Sequence, residues 1–374
     1  MELTELTISG FRNLESRTIV LGPRTNLVLG RNGAGKTSLL EAIVVLGNLR
    51  SFRTASLRQA ARHGERVFHL GGGVSDGFST RRLEQVVEVG PPLRRQLLLN
   101  RGEVRSEQYL QVFPVFAITG PDRELVGGGP EGRRALLDRF VFLLEAPFLD
   151  ALRNYRRALR QRNAALVGGA KDAEIEAWED RLAVAAARIV VGRQRGVTVL
   201  SKRFSEVYGE IGEKRLPEVE IRYRGESWCG PEEPQEKVED LYRQRYNETR
   251  TRDRQAGFTG DGPHRHDLSL RTAGRAIRYV LSSGQSKMVA AALRLATLAQ
   301  VEKERGERFP VIVDDVDAEL DGAAAGRLLS FLGGERQLFL SSTNDALTAQ
   351  EGSNGLRLWI ENGECECREA ESDD

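Results

Sequence analysis

The segment GRNGAGKTS, residues 30–38, carries the strongest structural signal in the chain. It fits the pattern G-x-x-x-x-G-K-[ST], follows an apolar run that ends at Leu29, and leads into a segment typical of a helix. This strand–loop–helix order predicts a phosphate-binding loop, because its glycines let successive backbone N–H groups point at an anion. The alternative is a chance glycine-rich turn, and we favour nucleotide binding.

Two side chains of this loop have predicted roles toward a nucleotide. Lys36 is expected to reach the β- and γ-phosphate oxygens, and the Thr37 hydroxyl is expected to coordinate Mg²⁺. The predicted ligands are therefore ATP and Mg²⁺. The candidate nucleotide-binding residues of the loop are Gly30, Arg31, Asn32, Gly33, Ala34, Gly35, Lys36, Thr37 and Ser38.

A second metal ligand is predicted at the end of another buried strand, in FPVIVDDVDAELD, residues 309–321. Its apolar run leads directly into Asp314 and Asp315, and two adjacent acids at such a position repel each other unless a cation lies there. Asp314 is therefore the expected Mg²⁺ partner, and Asp315 is placed to orient or deprotonate an attacking water. The alternative is an ordinary strand-ending turn that happens to carry two aspartates.

The segment LSSGQSKMVAAALRLA, residues 281–296, places polar residues ahead of an apolar helix. Simple helix capping would account for such a start, and a helix N-terminus is also an anion site. With the other two motifs present, LSSGQ resembles the signature of the ABC ATPase class. That resemblance implies that Ser283, Gly284 and Gln285 cover the γ-phosphate held by a second copy, so ATP would drive homodimerisation. Asp321 falls where the class places its D-loop.

Composition excludes several other functions. The net charge is only +1, so a basic surface for nucleic acid must be local. The cysteines number 3, an odd count that suits a reducing compartment better than a disulfide framework. No apolar stretch reaches the roughly 20 residues of a membrane span. We therefore expect a cytoplasmic protein without a membrane partner.

The order of patterns along the chain predicts an α/β fold. Short alternating segments near the start indicate an antiparallel layer, and long helical patterns follow from about Arg133. Helix and strand then alternate, which is typical of a parallel sheet. We predict an ABC-type ATPase head with a mixed sheet and an inserted, mainly helical lobe. The predicted boundaries are 1–120 and 256–374 for the two halves of the ATPase lobe and 121–255 for the inserted lobe.

Together these motifs resemble the RecF family of bacterial DNA replication and repair proteins, in the branch that also holds SMC and Rad50. The blocks that carry the resemblance are SGFRNL, GRNGAGKTSLLEAI, LRSFRT, GPEGRRALLDRF, TGDGPHRHDL, LSSGQSKMVAAALRLA and VDDVDAELD, in the family's order. The chain departs from the family pattern at TGPDREL and at His266, where an acid is usual, and neither segment is assigned a role. Transporter ATPases carry a switch histidine at the position that LSSTND occupies in this chain. No histidine is present there, and Thr343 or Asn344 is the candidate substitute.

The resemblance implies a weak, DNA-stimulated ATPase that dimerises on ATP and binds double-stranded DNA and single-strand/double-strand gap junctions. With RecR and RecO it would promote RecA loading at single-stranded gaps, and slow hydrolysis would reset the dimer. Arg12 matches the family position near the nucleotide phosphates. The shorter acid at Asp315, where transporters usually carry Glu, suits slow turnover.

Two groups of arginines are candidates for contact with DNA phosphates. Arg153, Arg156, Arg157 and Arg160 are predicted on one face of a helix, and the alternative is a solvated arginine face. Arg50 and Arg53 in LRSFR are the rival group.

Three other functions compete with this interpretation. A transporter subunit would have its signature closer to the P-loop, and an SMC-like tether would need heptads over several hundred residues. An ATP-gated DNA clamp in which hydrolysis is incidental remains open.

Overall fold

The computed structural model describes residues 1–212, 216–230, 232–316, 322–343 and 355–368. The chain divides into two compact units. Unit 1 holds the described residues of Met1–Arg123, Val207–Lys214 and Ser282–Asp374, and unit 2 holds those of Glu124–Glu206 and Arg215–Leu281. This division differs from the predicted boundaries in assigning 121–123 and Val207–Lys214 to unit 1 and 256–281 to unit 2. The last difference arises because strand β10 (Asp267–Thr272) pairs with β9 (Glu220–Arg224) of unit 2.

Unit 1 contains a six-stranded antiparallel sheet with the order β2-β1-β4-β5-β6-β7. Buried and more exposed residues alternate along much of β1 and β5, as expected for strands with one face toward the core. The strands are β1 (Glu2–Ser9), β2 (Arg17–Val20), β4 (Val67–Ser75), β5 (Thr80–Glu88), β6 (Arg94–Leu99) and β7 (Gly102–Glu103). This sheet confirms the predicted antiparallel layer.

The second sheet of unit 1 is mixed and has the order β15-β14-β3-β13-β12-β8. Every pair in it is parallel except β14 with β15. Strands β12 and β13 are buried along their whole lengths, as expected for strands covered on both faces. The strands are β3 (Thr25–Leu29), β8 (Phe116–Ile118), β12 (Val311–Val313), β13 (Leu338–Ser342), β14 (Leu356–Glu361) and β15 (Glu364–Arg368).

Helix α1 (Lys36–Asn48) lies in the core that both sheets share. Its side chains Leu39, Leu40 and Ile43 are fully buried, and each stabilises the fold by about 1.5–3 kcal/mol. The other described α-helices within unit 1 are α2 (Ser106–Val112), α8 (Ser283–Arg305) and α9 (Gly322–Leu332), and short 3₁₀ helices lie at Leu57–Ala60 and Gly120–Arg123. Helix α8 ends at Gly306, whose left-handed conformation suits glycine.

Unit 2 is mainly helical, as the sequence predicts for the inserted lobe. Its helices are α3 (Glu124–Gly127), α4 (Pro130–Leu144), α5 (Phe148–Val167), α6 (Asp172–Ile211) and α7 (Gln235–Ala256), with the last residues of α6 counted in unit 1. Helix α6 has 40 residues in one continuous run, which is about 60 Å at the usual rise per residue. A small sheet of order β11-β10-β9, with β11 at Arg275–Ala276, completes the unit.

A buried arginine joins three helices of unit 2. Arg162 of α5 is fully buried and lies 2.9 Å from Glu179 of α6 and 2.8 Å from Asp253 of α7. Its Nη1 also donates to the Thr259 hydroxyl at 2.8 Å. Loss of one partner of such a group would leave a buried charge unpaired, at about 3–5 kcal/mol. The three helices are therefore fixed to one another.

Among the described helices, none combines the length and the apolar character needed to cross a membrane.

Candidate nucleotide-binding site

The phosphate loop connects β3 to α1 in unit 1, as predicted. Gly30, Gly33 and Gly35 have φ values of 151°, 81° and 126°, a region that residues with a Cβ rarely adopt. A Cβ at Gly30 would lie 2.3 Å from the Ile360 carbonyl oxygen, whereas one at Gly33 would meet nothing within 4 Å. The loop is therefore packed from behind by β14 and open at Gly33. This shape fits a ligand that backbone N–H groups bind closely.

Lys36 begins helix α1 and is largely buried, with 5% of its surface exposed. Its Nζ donates to the carbonyl oxygens of Gly30 at 2.7 Å and Arg31 at 3.2 Å. The ammonium group thus lies over the loop itself. In the loop, Arg31, Asn32 and Gly33 are exposed.

The structure brings together the two predicted metal ligands, although they are 277 residues apart in sequence. The Thr37 hydroxyl donates to Asp314 Oδ1 at 3.2 Å, because α1 begins beside the end of β12. Burial raises the pKa of Asp314, and repulsion from Asp315 adds to the effect, while the Ser341 hydrogen bond opposes it. A buried carboxylate next to a second acid is an oxygen donor that a divalent cation would neutralise. The residues present therefore fit Mg²⁺.

Ser341 organises both acids and was not identified from the sequence. Its hydroxyl donates to Asp314 Oδ1 at 2.7 Å and accepts the backbone N–H of Asp315 at 2.8 Å. Ser341 is fully buried at the end of β13, the strand beside β12. Asp315 has a φ of 50°, so the chain turns sharply there. The available signal was a pair of serines that ends a buried strand, a pattern that also occurs without function.

Arg12, predicted near the phosphates, has a buried partner behind the loop. Its Nε and Nη2 donate to the two carboxylate oxygens of Glu41 at 2.9 and 2.6 Å. Glu41 lies on α1 and is fully buried, and it also accepts bonds from Ser51 at 2.5 Å and Arg53 at 3.3 Å. Glu41 therefore fixes the orientation of Arg12, and it was a second residue that sequence reasoning missed.

The start of α8 shows the capping arrangement and leaves two predicted residues exposed. Ser282 accepts the backbone N–H of Gln285 at 3.2 Å, and the Gln285 side chain accepts the Ser282 N–H at 3.0 Å. This reciprocal pair is a capping box, and it gives Gln285 a structural role. Ser283 and Gly284 are exposed. The predicted D-loop residue Asp321 and the candidate switch residue Asn344 lie outside the described residues, whereas Thr343 is described and exposed.

The arginine face predicted on α5 is present. Arg156, Arg157 and Arg160 are exposed, while Tyr155 on the opposite face is buried. Arg153 is half-buried and lies 3.8 Å from Asp150. Of the rival group, both arginines are exposed, and Arg53 lies 3.3 Å from Glu41, the carboxylate that Arg12 also contacts.

His266 is a buried member of a polar cluster in unit 2. Its Nδ1 is 2.6 Å from the Tyr223 hydroxyl, and its Nε2 is 3.4 Å from Glu226. Burial lowers the pKa of His266, which opposes the effect of Glu226. These contacts give the residue a place in the packing of β9 and β10.

Comparison with known proteins agrees with this geometry. A family model described as the RecF/RecN/SMC N terminal domain matches residues 2–364. The DNA replication and repair protein RecF of Anaeromyxobacter sp. (strain Fw109-5) is 37% identical over 352 residues, which is 93% of this chain and 94% of that protein. The chain belongs to the RecF family. The resemblance drawn from its motifs is therefore confirmed.

The fold described above also matches solved RecF structures. A structure of the recombination mediator protein RecF-ATP in the RecFOR pathway has a TM-score of 0.89 at 26% identity, covering 98% of this chain and 97% of that one. A RecF-ATPrS structure from the same pathway has a TM-score of 0.87 at 25% identity, covering 98% of each chain. The predicted fold class is confirmed, and the chain is a DNA replication and repair ATPase by family.

Proposed function

We propose that this chain uses ATP and Mg²⁺ to pair with a second copy on DNA, and that hydrolysis reverses the pairing. The observation that carries the proposal is the 3.2 Å contact between Thr37 and Asp314, which joins the phosphate loop to the acid pair. The solved structure of a RecF relative in its ATP form supports ATP as the ligand. Mg²⁺ follows from the two oxygen donors of that contact.

Each residue of the site has a proposed role. The loop N–H groups and Lys36 bind the phosphates, and Thr37 and Asp314 hold Mg²⁺, which supplies charge neutralisation when bound. Asp315 orients the attacking water, and the bond from its backbone N–H to Ser341 fixes where its side chain begins. Arg12, aimed by Glu41, adds positive charge near the phosphates.

Ser283 and Gly284 are proposed to close the site from the second copy. Both are exposed at the start of α8, and the N-terminus of that helix adds a partial positive charge toward an anion. The test is molecular mass in solution with and without ATP and Mg²⁺, for the original chain and for Ser283→Arg. We expect a monomer that pairs only with nucleotide, and a variant that binds ATP yet stays single. Ser205→Arg on α6 is the matched control and should pair normally. If the Ser283→Arg variant forms dimers in ATP and Mg²⁺, the proposal that a second copy closes the site is refuted.

The proposed target is double-stranded DNA and its junctions with single-stranded gaps. The curated relatives carry the name DNA replication and repair protein RecF, and the solved structures are from the RecFOR pathway. RecR is therefore the proposed partner, with RecO and RecA acting in the same gap-repair pathway. The exposed arginines of α5 supply cations that phosphate contacts require. Weak ATP hydrolysis that DNA stimulates is the proposed reset.

The second candidate is a clamp in which ATP binding alone recruits partners. Asp315 favours this candidate, because aspartate is shorter than glutamate and places its carboxylate farther from a bound water. Lys36→Arg removes nucleotide function in both models, so Asp315→Asn decides between them. If that variant keeps RecA-loading activity while losing turnover, the clamp is correct; if it loses both, hydrolysis is part of the cycle.

A further inference from the structure

A pocket of about 310 Å³ lies between α5 and α6 in unit 2, apart from the nucleotide site. Small apolar side chains, among them Ala158 and Ala185, form its floor. Its polar rim consists of Asn154, Arg157, Arg181 and Arg188, and Trp178 closes one side. Its lining contains no acidic residue. The pocket therefore combines an apolar surface with positive charge.

The α6 side of the pocket is a regular stripe. Trp178, Arg181, Ala185 and Arg188 follow the spacing i, i+3, i+7 and i+10, which places them on one face of a helix. Glu179, next to Trp178, is held by the buried Arg162 of α5 at 2.9 Å. That ion pair fixes the two walls relative to each other, so the pocket does not depend on a flexible loop.

The charges of the rim are available to a ligand. Within the described residues, Arg157 and Arg188 have no ion pair or hydrogen bond, and both side chains are exposed. Arg181 stacks over the Trp178 ring with its guanidinium carbon 4.9 Å from the ring centroid. The adjacent acid Asp180 is paired with Arg243 at 3.2 Å. The local field is therefore positive around a planar aromatic and guanidinium wall.

We propose that this pocket holds one unpaired nucleobase of a DNA strand, with the flanking phosphates bound by Arg157 and Arg188. The proposal rests on the DNA-binding part of the proposed function and adds a site for the single-stranded side of a junction. Aromatic rings and guanidinium planes stack on bases whatever their sequence, and an apolar floor suits a flat ring. Asn154, whose amide has no hydrogen-bond partner among the described residues, lies where a base edge would be.

Nucleic acid matches the surroundings of the pocket better than an acidic peptide does. Arg156 and Arg160 continue the positive row along α5, both exposed and without an ion pair in the described part of the chain. Arg181 and Arg188 are about 10 Å apart along the axis of α6. A row of charges that extends beyond the pocket matches a phosphate backbone, whereas a peptide with one apolar anchor would need charge only around the pocket.

The test uses the fluorescence of Trp178 in the full chain with Trp228→Phe and Trp359→Phe. Nucleotide-free protein is titrated with a thymidine oligonucleotide of about 10 residues. We expect quenching of Trp178, and binding about 10-fold weaker in Trp178→Ala when followed by oligonucleotide anisotropy. Arg188→Glu, an exposed substitution that leaves the core intact, should weaken binding and flatten its salt dependence. The control Arg222→Glu makes the same charge change at another exposed site of unit 2 and should bind normally.

Two parallel measurements separate this proposal from the proposed function. ATP-dependent pairing and blunt-duplex binding should be unchanged in Trp178→Ala. If single-strand binding is also unchanged in Trp178→Ala and Arg188→Glu, the pocket proposal is overturned and the proposed function stands. If an acidic peptide with one phenylalanine quenches Trp178 and the oligonucleotide does not, the pocket is a peptide site and the proposal is likewise overturned. If the original chain fails to pair on ATP but its Trp178 is quenched by the oligonucleotide, the proposed function fails while the pocket stands.

Discussion

Replacement of Glu41 by glutamine should destabilise unit 1 strongly although it changes one atom. The fully buried carboxylate accepts hydrogen bonds from Arg12, Ser51 and Arg53. In Glu41→Gln an NH₂ group faces guanidinium donors, and Arg12, 18% exposed, loses its counter-charge. Breaking a buried ion pair costs about 3–5 kcal/mol. Because Arg12 is partly exposed to water, we expect about 3 kcal/mol, the lower end of that range.

The measurement is urea unfolding followed by Trp359, which lies on β14 in unit 1. Trp178 and Trp228 belong to unit 2 and are replaced by phenylalanine, so that the signal reports unit 1 alone. Glu15→Gln is the matched control, since Glu15 is exposed, and it should change the free energy of unfolding by less than about 0.5 kcal/mol.

A double-mutant cycle tests the physical reason. The Arg12→Met variant leaves the buried Glu41 without its main partner. The Glu41→Leu variant leaves Arg12 without its counter-charge. The double variant has neither charge and should be more stable than the sum of the two losses predicts, by about 1–3 kcal/mol. Additive losses, or a loss below about 1 kcal/mol in Glu41→Gln, would show that the pair does not hold Arg12 and would refute the reasoning.

Three further predictions follow from other groups. Ser341→Ala removes the hydroxyl that holds Asp314 and should weaken ATP binding about 10-fold in Mg²⁺ but not in EDTA; equal weakening in both would mean that the serine does not act through the metal. Burial lowers the pKa of His264 in unit 2 from 6.5 to about 4, so the unfolded chain binds that proton at a higher pH than the folded chain does. The free energy of unfolding of unit 2, measured in urea, should therefore fall between pH 6.5 and 4, and the His264→Gln variant should show a smaller fall. An identical pH profile in the variant would exclude this histidine as the cause. Arg156→Glu combined with Arg160→Glu should weaken duplex binding and flatten its salt dependence, and unchanged filter-binding curves would eliminate α5 as the duplex contact.

The sequence predicts the phosphate loop because its signal is local. Glycine spacing, Lys36 and Thr37 all fall within nine residues, and an apolar run comes directly before them. Asp314 and Asp315 were found because acids at the end of an apolar run are unusual. The family resemblance then supplied the order of the blocks.

The residues that sequence reasoning missed depend on partners far along the chain. Ser341 acts on Asp314 across two neighbouring strands, and Glu41 is one acid among many until Arg12 is placed beside it. Arg162 could have been noticed, because it follows Tyr155 by seven residues and so lies on the buried face of α5. The assignment of 256–281 to unit 2 could not have been predicted, because neither strand sequence indicates that β10 pairs with β9.

Strand β3, which carries the phosphate loop, has both of its sheet neighbours far downstream. Asn26 on β3 contacts Leu338 of β13 across 312 residues, and β14, on the other side, comes later still. During synthesis this apolar strand and the phosphate loop that follows it therefore leave the ribosome long before either neighbouring strand has been made. The nascent chain is therefore at risk of aggregation through β3 until β13 and β14 have emerged and paired with it. We expect the ATP site to form only after that step.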